Sequence, residues 1–118
     1  MSLPPSREFA EQWVSAWNAH DLERILMHYS DDFEMSSPYI IQLMGIPSGA
    51  LQGKAAVRSY WAKALEMFPD LKFELLDVLV GARSLAINYY GRGRRRVCEV
   101  FFFNDSGKIV RGAAHYAD

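Results

Sequence analysis

Residues 95–117, RRVCEVFFFNDSGKIVRGAAHYA, read as two strands folded back on each other. Runs 95–103 and 108–117 are rich in β-branched and aromatic side chains. Between them stands Asn104-Asp105-Ser106-Gly107, a set of turn formers too short to do anything but reverse the chain. Working towards the N-terminus, Gly91-Arg92-Gly93 and Gly81-Ala82-Arg83 repeat the signal and bound two more strands at 84–90 and 71–80. Connections this short demand antiparallel neighbours, so the second half of the chain is a four-strand meander with a face to bury.

The first half supplies the cover. Ser6 is placed to cap a helix in which Phe9, Trp13 and Trp17 recur at i, i+4 and i+8, with Ala10 and Val14 beside them. Asn18-Ala19-His20-Asp21 breaks it, and Asp21 suits the cap of a second helix with Leu22, Ile25, Leu26 and Tyr29 on one face. The run from Phe33 to Ser37 alternates as a short strand does and stops at Pro38. Residues 39–52 make a long connection, yet Ile40, Ile41, Leu43, Met44 and Ile46 are too apolar for a solvated loop, and they are expected to lid a pocket or to extend a subunit contact. Gly53 opens a third helix carrying Val57, Tyr60, Trp61, Ala64, Leu65 and Phe68 on one stripe, closed by Pro69. The expected order is α-α-β-α-β-β-β-β in an α+β domain spanning residues 1–118.

Composition narrows the function. Half the residues are hydrophobic and 14% are aromatic, against 23% charged, which excludes a disordered chain. A net charge of -1 provides no field for nucleic acid or an anionic membrane. Cys98 is the sole cysteine, which excludes an internal disulfide framework and multi-cysteine zinc spacings. No paired-histidine spacing, nucleophile elbow or phosphate-cradling glycine loop occurs, so neither a metal nor a cofactor is expected. The opening MSLPPSREF lacks a basic segment followed by an apolar one, and no apolar run is long enough to span a bilayer, so a soluble cytoplasmic protein is expected.

The arrangement, with WVSAWNAHDLERILMHYSDDFEMSSP at the front and EVFFFNDSGKIV near the end, resembles the nuclear transport factor 2-like superfamily, also called SnoaL-like or cystatin-like cone domains. The resemblance runs nearly the full chain. It implies a cone-shaped α+β barrel, with three helices packed on a curved, mainly antiparallel sheet around an internal pocket, and a homodimer through the outer sheet face. The superfamily holds ketosteroid isomerases, polyketide cyclases, dehydratases, epoxide hydrolases and non-enzymatic binding proteins, so fold alone selects no activity.

The ketosteroid isomerase site carries over only in part. Its base aspartate corresponds to Ser37, which cannot take a carbon-bound proton at that step. Its oxyanion tyrosine corresponds to Trp13, and a second tyrosine to Trp61. A third tyrosine is matched by Tyr29, and the protonated acid by Glu99.

Strand alternation puts Val97, Glu99, Phe101 and Phe103 on one face and Cys98, Val100 and Phe102 on the other. Both faces are apolar and periodicity alone does not choose; the resemblance implies that Glu99 points inward, where its carboxyl would be desolvated and able to serve as an acid. Tyr89, inward with Leu85 and Ile87, and Tyr29 are the expected polar helpers. Trp13, Trp17, Met35, Ser37, Trp61, Phe101, Phe103 and Tyr116 are the expected lining, although aromatic stripes at such spacing are as often plain core. His20, His28 and His115 suit solvent or an interface. The arginines at 92 and 94–96 read as a solvated hairpin. The expected function is a cofactor-independent isomerase or cyclase acting on an apolar, oxygen-bearing small molecule; a non-catalytic binding protein and a dimeric interaction module are the alternatives.

Overall fold

The computed structural model describes residues 6–118. Helix α1 (Ser6–Asn18) and helix α2 (Leu22–Leu26) lead into strand β1 (Tyr29–Ser36), helix α3 (Pro38–Met44), strand β2 (Ala50–Gln52) and helix α4 (Lys54–Met67). Strands β3 (Glu74–Gly81), β4 (Ser84–Tyr90), β5 (Arg96–Phe103) and β6 (Ile109–Tyr116) follow, with a short 3-10 turn at Arg92–Arg94 between β4 and β5. The six strands form one sheet in the order β2-β1-β6-β5-β4-β3. The meander β3 to β6 is antiparallel throughout, whereas β1 joins β6 in parallel, which a helical crossover between them permits.

Register breaks in β1, β3 and β5–β6 add local bends, and the curved sheet wraps around α1 and α4. Phe9, Trp13 and Trp17 are all buried, as the α1 stripe requires, and Val57, Tyr60 and Trp61 are buried from α4. Asn18 fastens the end of α1 to the segment before β3: its side chain donates to the Phe73 carbonyl at 2.9 Å and accepts from the Phe73 N–H at 2.7 Å. His20 then turns the chain with a positive φ of 54°.

Asp21 caps α2 as expected, accepting from the Arg24 N–H at 3.2 Å. Asp21→Ala is expected to cost about 1 kcal/mol of stability, the ordinary loss for an N-cap acceptor, checked by urea denaturation.

Three expectations need correction. Tyr29 is not on the second helix but is the first residue of β1. The helix ends at Leu26 with Met27 as its C-cap, and the Ile109 N–H donates to the His28 carbonyl, drawing the following segment into the sheet. Residues 39–52 are not a plain connection. Ser37 caps α3 by accepting from the Tyr39 N–H at 3.2 Å, Pro38 takes the first helical position, and Gly45 ends the helix at φ 67°, where a left-handed cap favours glycine. Ala50 to Gln52 then pair with β1. Ser6 stands as the first residue of α1, and the position that would cap it lies outside the described residues.

The two faces of β5 separate cleanly. Val97, Glu99, Phe101 and Phe103 are buried, Cys98 and Val100 are half-buried, and Phe102 is 38% exposed. The outer surface also carries exposed Leu79 and Val80. No helix among the described residues is long and apolar enough to cross a membrane.

Candidate functional site

Glu99 sits in the middle of β5, opposite Ile87 on β4 and Ala114 on β6. Neither neighbour's side chain can hydrogen-bond it. The partner comes diagonally: the Tyr89 hydroxyl donates to Glu99 Oε1 at 3.0 Å, a reach that cross-strand neighbours two residues apart allow to a long side chain. The other oxygen, Oε2, is buried and has no hydrogen-bond partner among the described residues.

Burial raises the Glu99 carboxyl from 4.5 to about 7, with the Tyr89 hydrogen bond pulling the other way. Near neutral pH the group therefore exists in both forms, and the protonated form has an O–H to give. Tyr89 is itself held well above its ordinary range, first by burial and then by the adjacent Glu99 charge, so it stays a donor. Tyr116 is raised by the same causes. Tyr60 is pushed up to about 12 by burial, and the Ser37 hydroxyl lies close enough to Tyr60 and Tyr116 to oppose the rise in both.

Glu99, Tyr89, Tyr116 and Tyr60 border a cavity of about 80 Å³. It holds several waters' worth of space and falls short of the roughly 300–1,000 Å³ of drug-sized sites, so a small molecule, or one end of a larger one, is what fits. Trp17 from α1, Trp61 and Tyr60 from α4, Tyr39 and Leu43 from α3, and Met35, Tyr89, Val97, Glu99 and Tyr116 from the sheet form its walls. Phe68, Leu71, Phe73 and the turn residues Gly91, Arg92 and Arg95 surround the remainder. The Trp17 indole N–H is, like Glu99 Oε2, buried without a partner among the described residues.

Of the side chains expected at the site, Glu99, Tyr89, Trp17, Met35, Trp61 and Tyr116 line the cavity. Tyr29, Trp13, Phe101 and Phe103 do not; they belong to the aromatic core behind it. Trp13 Nε1 donates to the Tyr29 hydroxyl at 3.0 Å, and both rings pack edge-on against Phe101. That pairing satisfies two buried polar groups with each other and leaves Tyr29 turned away from a ligand. Ser37 is buried beside Tyr60 and Tyr116 with its oxygen engaged in capping α3. Tyr60 and Tyr39 were not among the expected residues. Tyr60 was visible in the α4 stripe, one position before Trp61; Tyr39 was hidden because its segment read as a connection.

Among the described residues no group of three or more His, Cys, Asp or Glu side chains converges as a metal site. The histidines lie elsewhere: His20 meets the Leu71 carbonyl at 2.8 Å, His28 packs edge-on against Phe9, and His115 is exposed beside the Cys98 carbonyl.

A family model for the SnoaL-like domain matches residues 10–112. A SnoaL-like protein of unknown function from Burkholderia thailandensis E264 is 51% identical and superposes with a TM-score of 0.91, over 95% of this chain and 93% of that one. A protein provisionally described as an isomerase of the SnoaL-like family, from Agrobacterium tumefaciens strain C58, is 15% identical with a TM-score of 0.75, over 96% and 97% of the two chains. An epoxide hydrolase/cyclase-like enzyme of pyran ring formation in the polyether salinomycin is 18% identical with a TM-score of 0.72, over 94% and 89%. The last two share the fold.

Proposed function

The chain belongs to the SnoaL-like domain family, and on that basis we propose that it is a small-molecule enzyme of the isomerase or cyclase kind, working without a cofactor, in which Glu99 is the proton donor to a substrate oxygen. The observation that carries this reading is Glu99 Oε2: a carboxyl oxygen buried in the wall of an apolar cavity with no partner among the described residues. Leaving a buried polar group unsatisfied costs on the order of 1–3 kcal/mol, and such groups gather where a ligand completes the bonding. Tyr89 holds the carboxyl in place from Oε1, so Oε2 is the oxygen free to carry a proton to a substrate carbonyl, hydroxyl or epoxide.

In this reading the O–H bond of Glu99 breaks as a new O–H bond forms on the substrate, and the carboxylate left behind is stabilised by Tyr89. It recovers its proton from the product or from water. The Trp17 N–H and the phenols of Tyr60 and Tyr116 orient the substrate, and Trp61 and Met35 exclude water from its apolar part. Ser37, standing where the resemblance places a base, caps a helix instead, which argues against a steroid isomerase cycle.

That missing base also favours a second reading, in which the same cavity binds a ligand without changing it. Incubating the protein with a panel of small ketones and epoxides in deuterated water separates the two. Ring opening or closure, or deuterium incorporation beside the carbonyl with solvent water taking the carbon-bound proton while Glu99 protonates the oxygen, above the rate without protein is the expected result. Ligands that bind and are recovered unchanged would overturn the catalytic reading and leave the carrier.

A further inference from the structure

Arg92 and Arg95 form the part of the cavity wall that the proposed reaction leaves unused. Four arginines crowd this hairpin, and they are not equivalent. Arg94 turns away: its guanidinium lies over the Tyr90 ring and pairs with Glu74, outside the cavity that holds Glu99. Arg96 opens β5 and does not line the cavity. Arg92 and Arg95 do line it, and among the described residues neither has a carboxylate within ion-pair distance.

Both are nevertheless held in place. The Arg92 guanidinium stacks over the Phe68 ring, 3.7 Å from its centroid, and that of Arg95 lies 5.4 Å from the Tyr116 centroid. Arg95 Nε donates to the Ala117 carbonyl at 2.8 Å, leaving its two terminal nitrogens unassigned. The turn carrying them is itself fixed by Gly93 and Arg94 at φ 65° and 59° and by the Gly91 N–H donating to the Arg95 carbonyl at 2.8 Å. A planar guanidinium stacked on an aromatic ring keeps its donor edge free for a carboxylate.

The cavity is thus chemically two-ended. One part has the buried Glu99 carboxyl with the Tyr89 phenol on it; another has the exposed Arg92 and Arg95, the latter beside the Tyr116 ring, and among the described residues Glu99 is the single acidic residue on the lining. We propose that the ligand is a small oxo or hydroxy carboxylic acid, its neutral oxygen directed to Glu99 and its carboxylate held by Arg92 and Arg95. This names the substrate class of the site described above and rests on that reading. An apolar linker of a few carbons between the two oxygen-bearing ends suits the aromatic walls and the volume of about 80 Å³.

Levulinate and methyl levulinate share the ketone and differ at the other end, a carboxylate in one and its neutral methyl ester in the other, so they test the arginines separately from Glu99. Binding is read from the indole N–H signals of Trp17 and Trp61 in heteronuclear NMR spectra, which also report folding. The acid is expected to bind the native protein about tenfold tighter than the ester, equivalent to about 1.4 kcal/mol. The Arg92→Met, Arg95→Met double variant is expected to bind the two alike, and Arg94→Met to keep the preference. If both probes bind the native protein equally, the arginine assignment falls while the cavity reading stands. The same holds if the preference survives in the double variant or is lost in Arg94→Met. If neither probe moves the tryptophan signals, both fall.

Discussion

Glu99→Gln is expected to lower turnover by about 10²–10⁴-fold, the range supplied by a positioned proton donor, while changing ligand affinity only a few-fold. Glutamine keeps the oxygen that accepts from Tyr89 and fills the same volume, but it has no proton to give. Stability separates this variant from a merely structural one. The folded carboxyl titrates at about 7 against 4.5 for the free group, so the folded state retains a proton through a range in which the unfolded chain releases it. That contribution is fully present below about pH 4.5 and is lost as pH rises through about 7. Over this window the native protein loses on the order of 3 kcal/mol that the glutamine variant does not lose. Urea denaturation at pH 5 and pH 8 measures it: the variant gains on the native protein at the higher pH. Undiminished turnover in the variant, or a stability difference independent of pH, would contradict the role given to Glu99.

Phe101→Ala is expected to be the most damaging single truncation on β5, at about 3–5 kcal/mol. The Phe101 ring is fully buried and lies among Phe9, Trp13 and Tyr29, with centroids 6.4, 5.4 and 6.2 Å away. Its neighbours across the sheet are Leu85 on β4 and Gly112 on β6, where an added Cβ would stand 3.4 Å from the Phe101 ring, so on the β6 side no side chain is positioned to fill the hole. A loss of that size is a large part of the roughly 5–15 kcal/mol that stabilises an ordinary domain. Phe102→Ala, one residue along but on the outer face, is expected to cost less than about 1 kcal/mol in the isolated chain. Thermal melts of the two variants check the assignment of faces, and equal losses would contradict it.

Much of the fold was legible because its signals are local. The turns at 81–83, 91–93 and 104–107 set antiparallel pairing by length alone, and the stripes of α1 and α4 repeat at helical spacing. What escaped was long-range or masked. The parallel pairing of β1 with β6 joins segments some 80 residues apart, which no local pattern encodes, and it is this pairing that takes Tyr29 from helix to strand. The short helix α3 was readable from Ser37, Pro38 and Gly45 as cap, first turn and stop, but Pro38 also reads as the end of a strand, and it serves both purposes.

The candidate site was legible in outline and blurred in detail for one reason. Sequence spacing says which residues share a face, and a face holds both core and cavity. Phe101 and Glu99 are two apart on the same side of β5, yet the first is packed against α1 while the second borders the cavity. Arg92 and Arg95 read as solvated because charge at a hairpin normally is, and both are exposed; what spacing did not reveal is that the turn also brings them against Phe68 and Tyr116.

The most direct measurement is the titration of Glu99 itself, followed by the ¹³C shift of its side-chain carboxyl in labelled protein. A midpoint near 7 is the result expected of a carboxyl buried in the cavity wall with Tyr89 as its hydrogen-bond partner. A midpoint near the ordinary 4.5 would place the carboxylate in water and contradict the account of the site.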